Sequence, residues 1–174
     1  MSVSSVVSSG TPGILIDQAR FKSYPVQIAQ FSDNGCLIGF VEKPELPENV
    51  AILTKAADGL IPGRIVEDLP EWTRVEFVWE RARREKRSEP RRDVLIPAMI
   101  RSAGAWTTVA ATIMNASRSG CRIEGPGVDR LATEIDIELP SMAKPIRGRV
   151  VWRKPDTIGV ELVWQYAHGP GGRR

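Results

Sequence analysis

Sliding the chain against itself by 85 residues aligns its two halves without a gap. Gln30–Ile38 (QFSDNGCLI) falls over Asn115–Ile123 (NASRSGCRI), Gly63–Val66 (GRIV) over Gly148–Val151 (GRVV), and Val75–Glu80 (VEFVWE) over Val160–Gln165 (VELVWQ). Between residues 25–80 and 110–165, 16 of 56 positions are identical. They include Gly35, Cys36, Pro70 and Trp79, which two strands resembling each other through shared Val and Ile would not supply. A duplication of this kind turns a length that suggests one domain into two copies of a smaller fold.

Each copy reads as all-β. Apolar and polar residues alternate in Val26–Phe31, in Thr133–Leu139, where Ile135, Ile137 and Leu139 share one face, and in Gly159–Trp164. Turn residues separate these runs at Asp33-Asn34-Gly35, Ala57-Asp58-Gly59, Pro70-Glu71, Gly125-Pro126-Gly127 and Pro155-Asp156. No segment between them has the length or the 3.6-residue period of a crossover helix, which points to small antiparallel barrels. The best helical candidate, Trp79–Lys86, is charged enough to serve equally as a solvated linker.

The formal charge of +3 hides a local excess. Residues 1–80 carry 6 basic and 11 acidic side chains, residues 81–92 carry 7 and 2, and residues 93–174 carry 11 and 8. The segment 81–92 therefore holds a net +5 between an acidic first copy and a mildly basic second one. Two Cys and a single His, His168, leave no ligand set for a structural zinc. No stretch approaches the ~18 apolar residues of a membrane span, and the N-terminus lacks a signal-peptide pattern. These features predict a cytoplasmic protein with reduced thiols, no cofactor and no metal.

The basic segment contains Arg87-Ser88-Glu89-Pro90-Arg91-Arg92, and the second copy contains Asn115-Ala116-Ser117-Arg118-Ser119-Gly120. This RxxxR arm, followed 20 to 30 residues later by an (D/N)xSxxG turn, resembles the PilZ domain family, bacterial receptors for cyclic di-GMP. Ile137–Pro140, Gly148–Trp152 and Gly159–Leu162 are similar to that family's closing strands, so the resemblance covers residues 87 to about 165 and, more weakly, 14–80. It implies that Arg87 and Arg91 contact phosphate and guanine and that Asn115, Ser117 and Gly120 form the base-binding turn, with Arg92 and Arg118 as weaker candidates. The chemistry agrees. Arg offers a planar fork for phosphate oxygens and for the O6/N7 edge of guanine, Asn both donor and acceptor, Ser a hydroxyl, and Gly a position without Cβ where φ can be positive and a ligand can come close.

The first copy keeps Ser32 and Gly35 but has Gln30 in place of Asn115, and the same offset puts Ser2 and Val6 where Arg87 and Arg91 stand. It is expected to be a degenerate copy without an arginine arm.

Other duplicated residues have structural readings. Cys36 and Cys121 read as buried thiols, Trp79 and Trp164 as barrel-closing side chains, and Arg64/Glu76 and Arg149/Glu161 as cross-strand ion pairs. Trp106 and Trp152 could stack on a guanine, but core or interface packing is the expected use. No nucleophile, base and orienter set is present, so an enzyme is not expected.

The expected organisation is a disordered tail (1–13), a degenerate PilZ-like barrel (14–80), a basic linker with the RxxxR arm (81–92), a PilZ barrel (93–166) and a flexible tail (167–174). The linker is expected to be the only connection between the barrels, so that cyclic di-GMP binding would change their arrangement and signal to a downstream protein partner. The alternatives are a protein-interaction module that binds no nucleotide and a non-specific nucleic-acid binder. The second is disfavoured because the basic cluster lacks interleaved aromatics.

Overall fold

A computed structural model describes residues 10–79 and 91–167. The first half contains β1 (Thr11–Asp17), β2 (Lys22–Ala29), β3 (Gly35–Gly39), β4 (Asn49–Thr54), β5 (Ile61–Asp68) and β6 (Thr73–Phe77). The second contains β7 (Arg92–Ser102), β8 (Thr108–Ser117), β9 (Gly120–Glu124), β10 (Glu134–Glu138), β11 (Ile146–Lys154) and β12 (Thr157–Val163).

Each set closes into a six-stranded antiparallel barrel, in the order β1-β2-β3-β6-β5-β4 and β7-β8-β9-β12-β11-β10. Closure leaves no unpaired strand edge, which lets a sheet this small stand without a covering layer.

Period-2 patterning decides which side chains fill each barrel. In β10 Ile135 and Ile137 are buried while Glu134, Asp136 and Glu138 between them are half-exposed. In β6 Thr73, Val75 and Phe77 point inward and Arg74 and Glu76 outward. Ile100, Ile113, Ile123, Ile135, Ile137 and Ile158 form the centre of the second barrel, and Leu15, Ile38, Ile52, Ile61 and Val75 that of the first. Each such side chain contributes about 1.5–3 kcal/mol of burial free energy.

The duplication extends to hydrogen-bond register. Gly35 pairs with Glu76 as Gly120 pairs with Glu161, and Asn49 with Arg64 as Glu134 with Arg149. The β5–β6 ladder slips between Ile65 and Glu67, and the β11–β12 ladder slips at the equivalent Val150 and Trp152. The indole Nε1 of Trp79 donates to the Asp33 carbonyl at 2.8 Å, and that of Trp164 to the Arg118 carbonyl at 2.7 Å. These tryptophans fasten the end of each last strand to the loop before β3 or β9.

Several boundaries differ from the sequence reading. Thr11–Gly13 already pair with Val26–Ile28, and Arg92 already pairs with Ala116, because both sites offer open ladder positions on the neighbouring strand. Gln165–Ala167 belong with the first unit rather than the second. Leu60 N–H donates to the Gln165 carbonyl at 2.8 Å, Ala167 N–H to the Leu60 carbonyl at 2.7 Å, and Gln18 Nε2 to the Tyr166 hydroxyl at 2.9 Å. The chain therefore passes between the two units at two places, and the linker is not their only connection.

Among the described residues no helix is long and apolar enough to cross a membrane, and no group of His, Cys, Asp and Glu is placed to hold a metal ion. Both cysteines are free and buried. Burial pushes the Cys36 thiol up to about 12. It does the same to Cys121, against an opposing pull from the positive charge of Arg91.

Candidate functional site

The two halves of the sequence motif meet at one end of the second barrel. The start of β7 lies antiparallel against the end of β8, with Arg92 opposite Ala116 and Asp93 opposite Asn115. Arg91, one residue upstream, is near enough for its charge to act on the Cys121 thiol in β9. The end of the arm is thus brought against the Asn115–Gly120 turn. Arg87 lies outside the described residues.

The turn residues divide into two kinds. Ser117 is buried; its Oγ donates to the Gly120 carbonyl and shares a hydrogen bond with Ser119 Oγ, each at 3.3 Å. The first copy repeats the former bond, from Ser32 Oγ to the Gly35 carbonyl at 3.1 Å. Gly120 does not adopt a positive φ; among the described residues the glycines that do are Gly104 and Gly127. A Cβ on Gly120 would instead lie 2.7 Å from the Val160 carbonyl oxygen, and one on Gly35 would lie 2.2 Å from that of Val75. The expectation of a positive φ at Gly120 is therefore corrected: the glycine is needed where two strands approach closely. Ser117 and Gly120 shape this turn as Ser32 and Gly35 shape that of the first barrel.

Asn115 is different. The β8–β9 ladder slips between Ile113 and Asn115, so that Met114 is extra and Asn115 comes to lie opposite Arg122. A β-bulge of this sort re-aims the next side chain. The Oδ1 of Asn115 is buried without a hydrogen-bond partner, as is the Nε of Arg122. In the first copy β2 ends at Ala29, the ladder has no slip, and Gln30 turns away with a φ of 48°. Arg118 takes part through its carbonyl, which holds Trp164.

The row continues beyond Arg122. Arg122 lies opposite Gly159 in β12, and Gly159 opposite Trp152 in β11. The Trp152 ring lies on Gly159: a Cβ there would be 2.0 Å from the indole Nε1 and 2.2 Å from Cε2. The ring is partly exposed, and Lys154 Nζ stands 6.0 Å from its centroid. Sequence reasoning named Trp152 without placing it and did not select Arg122; the signal for both is the cross-strand register, which a linear motif does not contain.

In the first barrel Leu37, Arg74 and Glu67 occupy the positions of Arg122, Gly159 and Trp152. Arg74 Nε reaches Glu67 Oε2 at 3.4 Å, and its guanidinium lies 5.6 Å from the Trp72 ring. A cleft of about 360 Å³ borders this turn, lined in part by Gln30, Ser32, Asn34, Arg74 and Glu76. Arg74 is thus paired with a carboxylate, as Arg122 of the second barrel is with Glu124 at 3.2 Å.

Two further expectations change. Arg64 and Glu76 form the expected ion pair at 3.9 Å, but Arg149 turns to Glu134 at 3.1 Å instead of Glu161. Glu134 is also opposite Arg149 in the ladder, on the β10 side. Trp106, expected to pack, is 97% exposed beside the β7–β8 turn.

Residues 85–166 match the sequence model of the PilZ domain. No curated protein matches the chain. Among solved structures, PlzA of Borreliella burgdorferi in complex with c-di-GMP is similar at 11% identity, covering 88% of this chain and 80% of that one, with a TM-score of 0.37. MrkH of K. pneumonia in complex with c-di-GMP is similar at 13% identity, with 95% and 87% covered and a TM-score of 0.33. YcgR from Escherichia coli in complex with c-di-GMP is similar at 10% identity, with 92% and 79% covered and a TM-score of 0.30.

Proposed function

We propose that the protein is a non-enzymatic, cytoplasmic receptor for cyclic di-GMP, which it binds with the second barrel and the arm before it. The observation that carries this reading is the placement of Arg91 and Arg92 against the Asn115–Gly120 turn within a PilZ domain. The ligand carries two phosphates and two guanines. Arg87 and Arg91 supply forks that suit either group, and Asn115 supplies a buried acceptor for a guanine N–H. Arg92 and Arg118 add positive charge at the rim. Ser117 and Gly120 hold the turn in shape so that backbone and Asn115 meet the base.

Because the arm leads out of the first unit, its capture by ligand changes the arrangement of the two units. The second passage of the chain, through Trp164 and Gln165, gives the turn another route to the first unit, since Trp164 is bonded to the turn and Gln165 to Leu60. A protein partner reads the outcome.

Isothermal calorimetry with cyclic di-GMP on the wild type and Arg91→Ala tests the binding step. A charge-assisted contact is worth about 1.5–3 kcal/mol, so the variant loses roughly 10- to 150-fold in affinity. Equal binding by both proteins removes the arm from the site. Scattering profiles that are the same with and without ligand remove the rearrangement.

A second reading, a protein-interaction module that binds no nucleotide, is favoured by Trp106 at 97% and Leu95 at 74% exposure on β7 and the turn beyond it. It predicts no heat with cyclic di-GMP at micromolar concentration.

A further inference from the structure

We infer that Arg122 is a specificity-determining residue of the second barrel, one that makes the site select guanine over adenine. This rests on the reading of that barrel as a cyclic-dinucleotide site. Directly opposed residues on neighbouring strands face the same side of a sheet. Asn115, Arg122, Gly159 and Trp152 are opposed in succession across β8, β9, β12 and β11. Cys121 and Ile123 on either side of Arg122 are buried in the barrel, so this row lies on its outer face.

The row spans Asn115 to Gly159 in two inter-strand spacings, roughly 9.6 Å, the scale of a purine with its hydrogen-bonding partners. At one end stands a buried acceptor without a partner, Asn115 Oδ1; in the middle stands a buried donor without one, Arg122 Nε. Arg122 Nε approaches Glu124 Oε1 at 3.2 Å, an ion-pair contact that leaves its N–H without an aligned acceptor. At the other end the Trp152 ring lies on bare Gly159 and offers an apolar edge. Orphaned buried polar atoms are costly, and a donor and an acceptor orphaned side by side suit a ligand that presents the complement of both.

Guanine is that complement. It presents N1–H and N2–H₂ donors toward Asn115 and O6 and N7 acceptors toward Arg122, which a guanidinium contacts bidentately. Adenine places its N6–H₂ donor where guanine has O6, so donor would face donor at Arg122. The first barrel has Leu37 here, with Arg74 and Glu67 paired to each other beside it, and makes no such demand.

The test is calorimetry of the full chain with cyclic di-GMP and with cyclic di-AMP, on the wild type, Arg122→Met and Arg122→Lys. Methionine keeps much of the arginine stem, and lysine keeps the charge without the fork. The expected result is a loss of about 5- to 150-fold in cyclic di-GMP affinity for Arg122→Met, with a smaller preference over cyclic di-AMP and partial recovery in Arg122→Lys. Thermal melts of the three proteins check folding, and Arg122→Lys alone decides if the methionine variant does not fold. A wild type that binds cyclic di-GMP, with variants that keep both affinity and preference, overturns the role of Arg122 and leaves the receptor reading standing. A wild type that binds neither dinucleotide overturns both.

Discussion

The first barrel has the same strand order and the same ladder slip in its fifth and sixth strands as the second, yet it differs along the row proposed to hold a ligand in the second. The features the two share are those that make the fold: the glycines under the Val75 and Val160 carbonyls, the serines that bond back onto those glycines' carbonyls, and the tryptophans that fasten the last strand. Among the positions at which they differ are the four of one outer row. Asn115, Arg122, Gly159 and Trp152 face Gln30, Leu37, Arg74 and Glu67 in the comparison. Identical positions thus include the scaffold of the turn, and the row proposed to hold the ligand falls among the positions that differ. The serine and glycine of the (D/N)xSxxG pattern fall on the scaffold side.

The largest expected effect concerns the shared glycines. Gly35→Ala and Gly120→Ala each push a Cβ into a neighbouring strand's carbonyl, and each lowers stability by about 1–3 kcal/mol, measured by urea unfolding. If Gly120→Ala keeps full stability and loses only nucleotide binding, the glycine belongs to the site and the division drawn here fails. Next come Trp79→Phe and Trp164→Phe. Each keeps most of the apolar bulk and deletes one indole-to-carbonyl hydrogen bond, for about 1 kcal/mol each by the same method. A large loss in one barrel and none in the other would show that the tryptophans are not equivalent.

The cysteines give a smaller, pH-linked effect. Burial holds both thiols at about 12 in the folded chain against an ordinary value of 9.0. The folded state keeps its protons where the unfolded state gives them up, so stability declines as pH rises from 9.0 toward about 12 and is untouched below that window. Cys36→Ser with Cys121→Ser removes this component of the slope. Both native thiols are expected to resist alkylation at pH 8, and rapid labelling of either without denaturant would contradict its burial. The smallest effect is at Arg74→Ala, whose exposed pair with Glu67 is worth about 0–1 kcal/mol; nucleotide affinity should not change.

Much of this was legible in the sequence because a duplication exposes itself by identity. The 85-residue offset foretells that β3 and β9 are equivalent strands, although it leaves Gly35 and Gly120 in the turns and not at the strand starts, and the alternation in TEIDIEL foretells β10 and its buried face. The arm and turn were legible as a motif. Three things were not. The bulge at Met114 depends on how two strands pair, and no residue type marks it. Arg122 looks like any outward strand arginine until register sets Asn115 on one side and Gly159 on the other. The docking of Tyr166 and Ala167 onto Leu60 involves residues far apart in the chain, which no local pattern links.

The most direct test of the division between scaffold and site is an amide chemical-shift titration of the labelled full-length chain with cyclic di-GMP. The predicted result is saturable shifts at residues 91–93, 115–122 and 152–160, with residues 30–37 and 67–74 of the first barrel unmoved. Shifts of equal size at both sets, or at the first-barrel set alone, would contradict the account.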